Sequence, residues 1–147
     1  MRTRRFVLTC FVVFVLSQVL EVAIHGFILD ADYAPYRGTL LRSGDDPWPF
    51  LFLPVAHLSF VIAFVYLFTR IAEPGAGVTQ GLCFGLVAWL MTQVPLWMLW
   101  YAEQPWPGML LVKQLALELA AMLALGAVAG ALYRGAADAP RKMLASP

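Results

Sequence analysis

Four apolar runs divide the chain, at about 6–29, 49–69, 78–101 and 108–133, with polar residues gathered between them. Each run reaches the roughly 20 residues that cross about 30 Å of hydrocarbon at about 1.5 Å per residue. The segment "FVLTCFVVFVLSQVL" (6–20) shows no apolar–polar alternation, so it does not read as strands of a membrane barrel. In lipid the backbone must satisfy its own polar groups, which leaves helices. The pattern predicts an all-α fold: a polytopic membrane protein, a bundle of four transmembrane helices with a short external loop segment. It forms a single domain over 1–147, with a cytoplasmic tail over 134–147.

The connections differ in kind. "RIAEPGAG" (70–77) is short, which predicts that the second and third helices are antiparallel neighbours. "EQPWPG" (103–108) is a tight turn in which two prolines stop the helix. Only the 30–48 segment is a substantial loop. Its Tyr33, Tyr36, Leu40 and Leu41 are expected to fold back over the bundle mouth, with a short interfacial helix. Above that mouth, Arg37 and Arg42 are placed to meet acids or anionic headgroups. Two GxxxG patterns, Gly81/Gly85 and Gly126/Gly130, predict close packing of the third and fourth helices at their cytoplasmic ends. Pro95 is expected to kink the third helix.

Composition supports the membrane reading. Of 147 residues, 61% are hydrophobic and only 13% charged, and mean hydropathy is +0.75. Soluble domains carry about a quarter charged residues. A net charge of +1 without any basic block excludes a nucleic-acid partner. Two cysteines, Cys10 and Cys83, lie in separate apolar runs, so neither a disulfide framework nor a cysteine zinc ribbon is expected. "MRTRR" has the charge of a signal-peptide start, but the apolar run behind it is too long, and an uncleaved helix is expected.

Charge position then orients the bundle. Arg2, Arg4, Arg5, Arg70, Arg134, Arg141 and Lys142 fall on one side; Arg37, Arg42 and Lys113 fall on the other. Seven against three places both termini in the cytoplasm of a multi-pass inner-membrane protein. Trp48, Trp97, Trp100 and Trp106 collect at the external boundary, as an aromatic belt would.

One feature departs from lipid compatibility. Gln18, Glu21 and His25 share a helical face at i, i+3, i+7. At about 1.5 Å per residue, Glu21 and His57 lie roughly 12 Å below the external boundary and His25 roughly 6 Å. Gln93 falls at a similar depth. Lys113 lies roughly 8 Å down and Glu118 roughly 15 Å, with Gln114 between them. These residues form a polar layer in the external half, where Glu21 is expected to pair with Lys113 or His57.

Three readings of the layer stand side by side. In the structural one, preferred here, the groups satisfy one another and fix helix register. In the second they form a small-ligand or proton site, since ionisable groups inside a membrane mark function by default. In the third, His25 and His57 ligate a metal or haem with Glu21 or Glu118, although HExxH and ExxH spacings are absent. The aromatic group at the mouth admits a quinone or sterol pocket besides the interface belt. No cofactor is required by the residues.

The succession of His25-Gly26, a tyrosine- and arginine-bearing loop, His57 and "YAEQPWPG" (101–108) resembles small uncharacterised four-helix inner-membrane proteins of bacteria. The resemblance spans most of the chain and implies a fold but no activity. The reading that follows is a small non-enzymatic membrane protein whose partners are the bilayer and a larger membrane complex or further copies of itself. A membrane-embedded carrier, or a haem-, quinone- or metal-binding protein, is the alternative. Reporter fusions are expected to signal from outside after position 40 and from the cytoplasm after positions 5, 74 and 140. An external signal at 74 refutes the topology.

Overall fold

The computed structural model describes residues 3–42, 45, 47–73, 75 and 77–133. The tail over 134–147, with Arg134, Arg141 and Lys142, and also Arg2, lies outside the described residues. Helix α1 (Thr3–Ala23) runs into a π-helical turn (Ile24–Ile28). A short α2 (Asp30–Tyr33) and a 3-10 turn (Ala34–Tyr36) follow. A second 3-10 turn (Trp48–Leu51) leads into α3 (Phe52–Ile71), then α4 (Val78–Glu103) and α5 (Gly108–Tyr133). The fold is all-α: no strand occurs among the described residues, only an isolated Arg37–Leu41 bridge.

Four segments are long and apolar enough to cross a membrane: Thr3–Ile28, Trp48–Ile71, Val78–Glu103 and Gly108–Tyr133. They match the four apolar runs to within a few residues. Phe11, Val55, Met91 and Val112 lie exposed on these helices. In water such a surface would aggregate; against acyl chains it costs nothing. The ends have local causes. Gln104 is extended (φ −131°, ψ 145°), as the residue before Pro105 must be, and α4 stops there. Gly75 turns the 70–77 link with a left-handed φ of +86°, which costs glycine little. Pro95 does not break α4, which stays helical from Val78 to Glu103.

Helices α4 and α5 form the most intimate pair. A Cβ placed on Gly126 would collide with the carbonyl oxygen of Gly81, and one on Gly85 with that of Met122. Backbone therefore meets backbone, as the two GxxxG patterns imply. Further along, Trp89 Nε1 donates to the Leu115 carbonyl at 3.0 Å, pinning the antiparallel register.

Helix α1 packs between α3 and α5. Helices α3 and α4, by contrast, touch only lightly. This corrects the expectation that the short 70–77 turn makes them packed neighbours. A short turn brings two helix ends together without bringing the shafts together, and the small-residue face of α4 is already occupied by α5.

Two apolar clusters close the ends. Toward the termini, Phe64 and Phe68 of α3 lie against Phe84 of α4, with ring centroids 4.7 and 5.4 Å apart. Val13, Val61 and Leu125 complete that core. At the other end Leu29, Trp106 and Leu110 are buried beneath Tyr33, Tyr36, Leu40 and Leu41. The loop therefore caps the bundle, as its composition implies.

Replacing Gly126 by Ala is expected to destabilise the bundle by about 1–3 kcal/mol, the cost of overpacking a close contact. Gly108→Ala, whose new Cβ meets nothing nearer than 3.6 Å, is the control expected to stay near the parent. Thermal unfolding in detergent checks both.

Candidate functional site

Between the two clusters lies a cavity of about 550 Å³, bordered by all four long helices and by the loop. Glu21 and His25 reach it from the end of α1, His57 from α3, Gln93 from α4 and Glu118 from α5. Five of the polar residues singled out in the sequence are thus brought to one space. Most of the remaining wall is apolar or aromatic, including Leu20, Phe60, Trp97, Trp100 and Trp106. Of the external tryptophans, three therefore face the cavity as well as the boundary.

Local structure aims these groups. Glu21 and His25 are one turn apart, so both project from the same face of α1. His25 sits within the π-helical turn, a geometry that recurs at functional sites because it re-aims a side chain within an otherwise regular helix. Its Nε2 lies 3.2 Å from Glu118 Oε1 and 3.5 Å from Glu21 Oε2. His57 Nε2 approaches Glu21 Oε2 at 3.7 Å.

The far nitrogens of both rings are held as well. Gln18 Nε2 lies 2.6 Å from His57 Nδ1, and the Tyr33 hydroxyl lies 2.7 Å from His25 Nδ1. The Gln114 amide in turn donates to the Tyr33 hydroxyl. Donors and acceptors then run consistently in two relays. In one, Gln114 donates to Tyr33, Tyr33 to His25 and His25 to Glu118. In the other, Gln18 donates to His57, whose Nε2 faces Glu21 at 3.7 Å, an ion-pair distance beyond hydrogen-bond reach. Each relay ends on a carboxylate, and Glu118, with 13% of its side chain exposed, is the more enclosed of the two.

One expectation needs correction. Lys113 does not pair with Glu21: its Nζ sits 2.8 Å from both carboxylate oxygens of Asp32, outside the cavity. Lys113 and Gln114 are adjacent, and the helix turns them in different directions, so Gln114 is buried while Lys113 latches α2 onto α5. Arg37 meets an acid, as its position in the sequence implied: its partner is Asp30 within the loop. Gly81, Gly85, Gly126 and Gly130 lie in the α4–α5 seam and take no part in the cavity.

Tyr33 is the hub that sequence reasoning placed only in the cap. Burial pushes its phenol well above the ordinary value, although the Gln114 hydrogen bond works against that. Nearby Glu21, Glu118 and Asp32 add to the rise, so the hydroxyl keeps its proton and remains a donor to His25. Only the tyrosine's position on the helical stretch after His25 hinted at this role.

Comparison with protein-family models, with curated proteins and with solved structures finds no match for the chain. The class is set by the fold: a small membrane protein with four apolar helices around a partly polar cavity.

Removing the hydroxyl by Tyr33→Phe strands His25 Nδ1 and the buried Gln114 amide, an expected loss of about 1–3 kcal/mol. The raised phenol pKa adds a pH signature. An unfolded tyrosine ionises near 10.0, whereas the folded one resists, so this contribution to stability is complete below that value and falls as pH rises above it. Melting curves between neutral and strongly alkaline pH should show that fall in the parent and a shallower one in Tyr33→Phe.

Proposed function

We propose that this small membrane protein binds an apolar molecule drawn from the lipid phase that carries a carbonyl or hydroxyl oxygen, quinones being the chemical type. The cavity of about 550 Å³ carries this reading. It falls within the range of roughly 300–1,000 Å³ common to small-ligand sites, which pair apolar walls with a few placed polar groups. The Glu21, His25, His57 and Glu118 side chains supply the polar end, and the aromatic wall suits a ring or isoprenoid body. Trp97 lines the same space, and its buried Nε1 has no hydrogen-bond partner among the described residues. It is a donor suited to an incoming oxygen. The light contact between α3 and α4 favours entry sideways from the bilayer.

A purely structural accessory subunit has weaker support. Polar groups that only fix register would pack against one another and leave no ligand-sized space between them. The distribution of positive residues supports an orientation with both termini in the cytoplasm of an inner membrane. In that orientation the capped mouth faces outward. Binding is then non-enzymatic storage or carriage, with the relays holding the ligand's oxygen.

Purification in mild detergent followed by native mass spectrometry tests the reading. The parent is expected to retain a lipophilic small molecule in defined stoichiometry. Ala56→Trp, which places an indole against the cavity wall, should lose it without a lower melting temperature. A parent that retains nothing and instead copurifies stoichiometrically with another membrane protein overturns the proposal in favour of the accessory subunit.

A further inference from the structure

The polar end of the cavity has a chemistry of its own that does not depend on any lipophile. Glu21, His25 and Glu118 each present one donor atom, and these atoms lie within 4.8 Å of one another. The measured separations are 3.2 Å from His25 Nε2 to Glu118 and 3.5 Å to Glu21. His57 Nε2 stands 3.7 Å from the same Glu21 oxygen. Two ligands on a tetrahedral zinc-sized ion, with bonds of about 2.0–2.1 Å, lie about 3.3–3.4 Å apart. The two spacings at His25 Nε2 are therefore close to the edges of such a polyhedron, while His57 stands outside the mutually close set and reaches it through Glu21.

Charge points the same way. Glu21 and Glu118 are two carboxylates within an apolar bundle, and the nearby cation Lys113 is engaged by Asp32. The pairs shown for them among the described residues are to histidine rings. A divalent ion with two carboxylates and two neutral imidazoles sums to zero charge, which removes the cost of holding charge in a low dielectric.

The outer partners also fit. Metal-bound histidines commonly have the second ring nitrogen held by a hydrogen bond, which fixes the tautomer. Here His25 Nδ1 meets Tyr33 and His57 Nδ1 meets Gln18. Turning the two glutamine amides by half a rotation makes each an acceptor. Tyr33 then donates to Gln114 and accepts from His25 Nδ1, while Gln18 accepts from His57 Nδ1. Both Nε2 lone pairs are freed toward the carboxylates. The proton of each ring moves from Nε2 to Nδ1, so no proton is gained or lost by either histidine. The same side chains thus serve a hydrogen-bonded state and a metal-bound state.

We infer that Glu21, His25 and Glu118, joined by His57, form a binding site for one divalent transition-metal ion of zinc type. The untagged full chain in detergent, stripped with chelator and titrated with cobalt(II), is the test. One equivalent is expected to bind with the intense visible absorption of four-coordinate cobalt, and zinc should displace it. Glu118→Gln and Glu21→Gln should each weaken binding at least tenfold, and Tyr33→Phe should weaken it about 10- to 100-fold through His25. Asp32→Asn should leave the affinity unchanged. Where a variant fails to fold, zinc K-edge absorption on the unaltered chain still decides, through scattering from imidazole rings. Absence of stoichiometric binding, affinity unmoved in a folded Glu118→Gln, or an all-oxygen shell without imidazole overturns the site. Loss of metal binding leaves the lipophile reading standing, because native mass spectrometry reads that separately.

Discussion

The contact on which the bundle depends is the meeting of α4 and α5 backbones through glycine. No hydrophobic force draws helices together within lipid, so close approach and hydrogen bonds must do it. Gly81, Gly85 and Gly126 let carbonyls sit where a Cβ would otherwise stand. That commitment has a geometric consequence. The small face of α4 is used on α5, α1 is used on α3 and α5, and little surface remains for α3 to meet α4. Phenylalanine rings bridge this gap near the termini. Higher up, the gap becomes the cavity.

The polar groups are tolerable there because they are partnered in series rather than singly. An isolated charge near the centre of a bilayer costs about 2.5–3.5 kcal/mol on insertion scales. Each ring instead bridges a neutral donor at Nδ1 and a carboxylate at Nε2. Four structural elements contribute to the network, so it also ties α1, α3, α5 and the cap to one another. Register and site are consequences of the same bonds, and a substitution in the network acts on both.

The four spans were legible because length and hydropathy are properties of contiguous segments, and GxxxG carries its packing partner in its spacing. The residues of the polar layer were legible as a depth band: Glu21, His57, Gln93 and Glu118 all face one space. Facing direction was not legible for Lys113 and Gln114, because adjacent residues on a helix point about 100° apart and the inward one depends on how α5 is rotated. The π-helical turn at His25 has no local signature beyond Gly26. Tyr33 was read as cap because an aromatic loop residue satisfies that role equally well. Its position against His25 follows from where the chain doubles back after Leu29, a tertiary matter.

The aromatic floor beneath the cavity has one more consequence. Phe64, Phe68 and Phe84 interlock across α3 and α4 with rings about a ring-width apart, and Phe68 also abuts Tyr133 at 5.9 Å. Passage between the two faces of the membrane would require these rings to part together. The space above them is a blind chamber and not a conduit. Its approaches are then the capped mouth and the lightly packed α3–α4 side, and not the face that carries the termini.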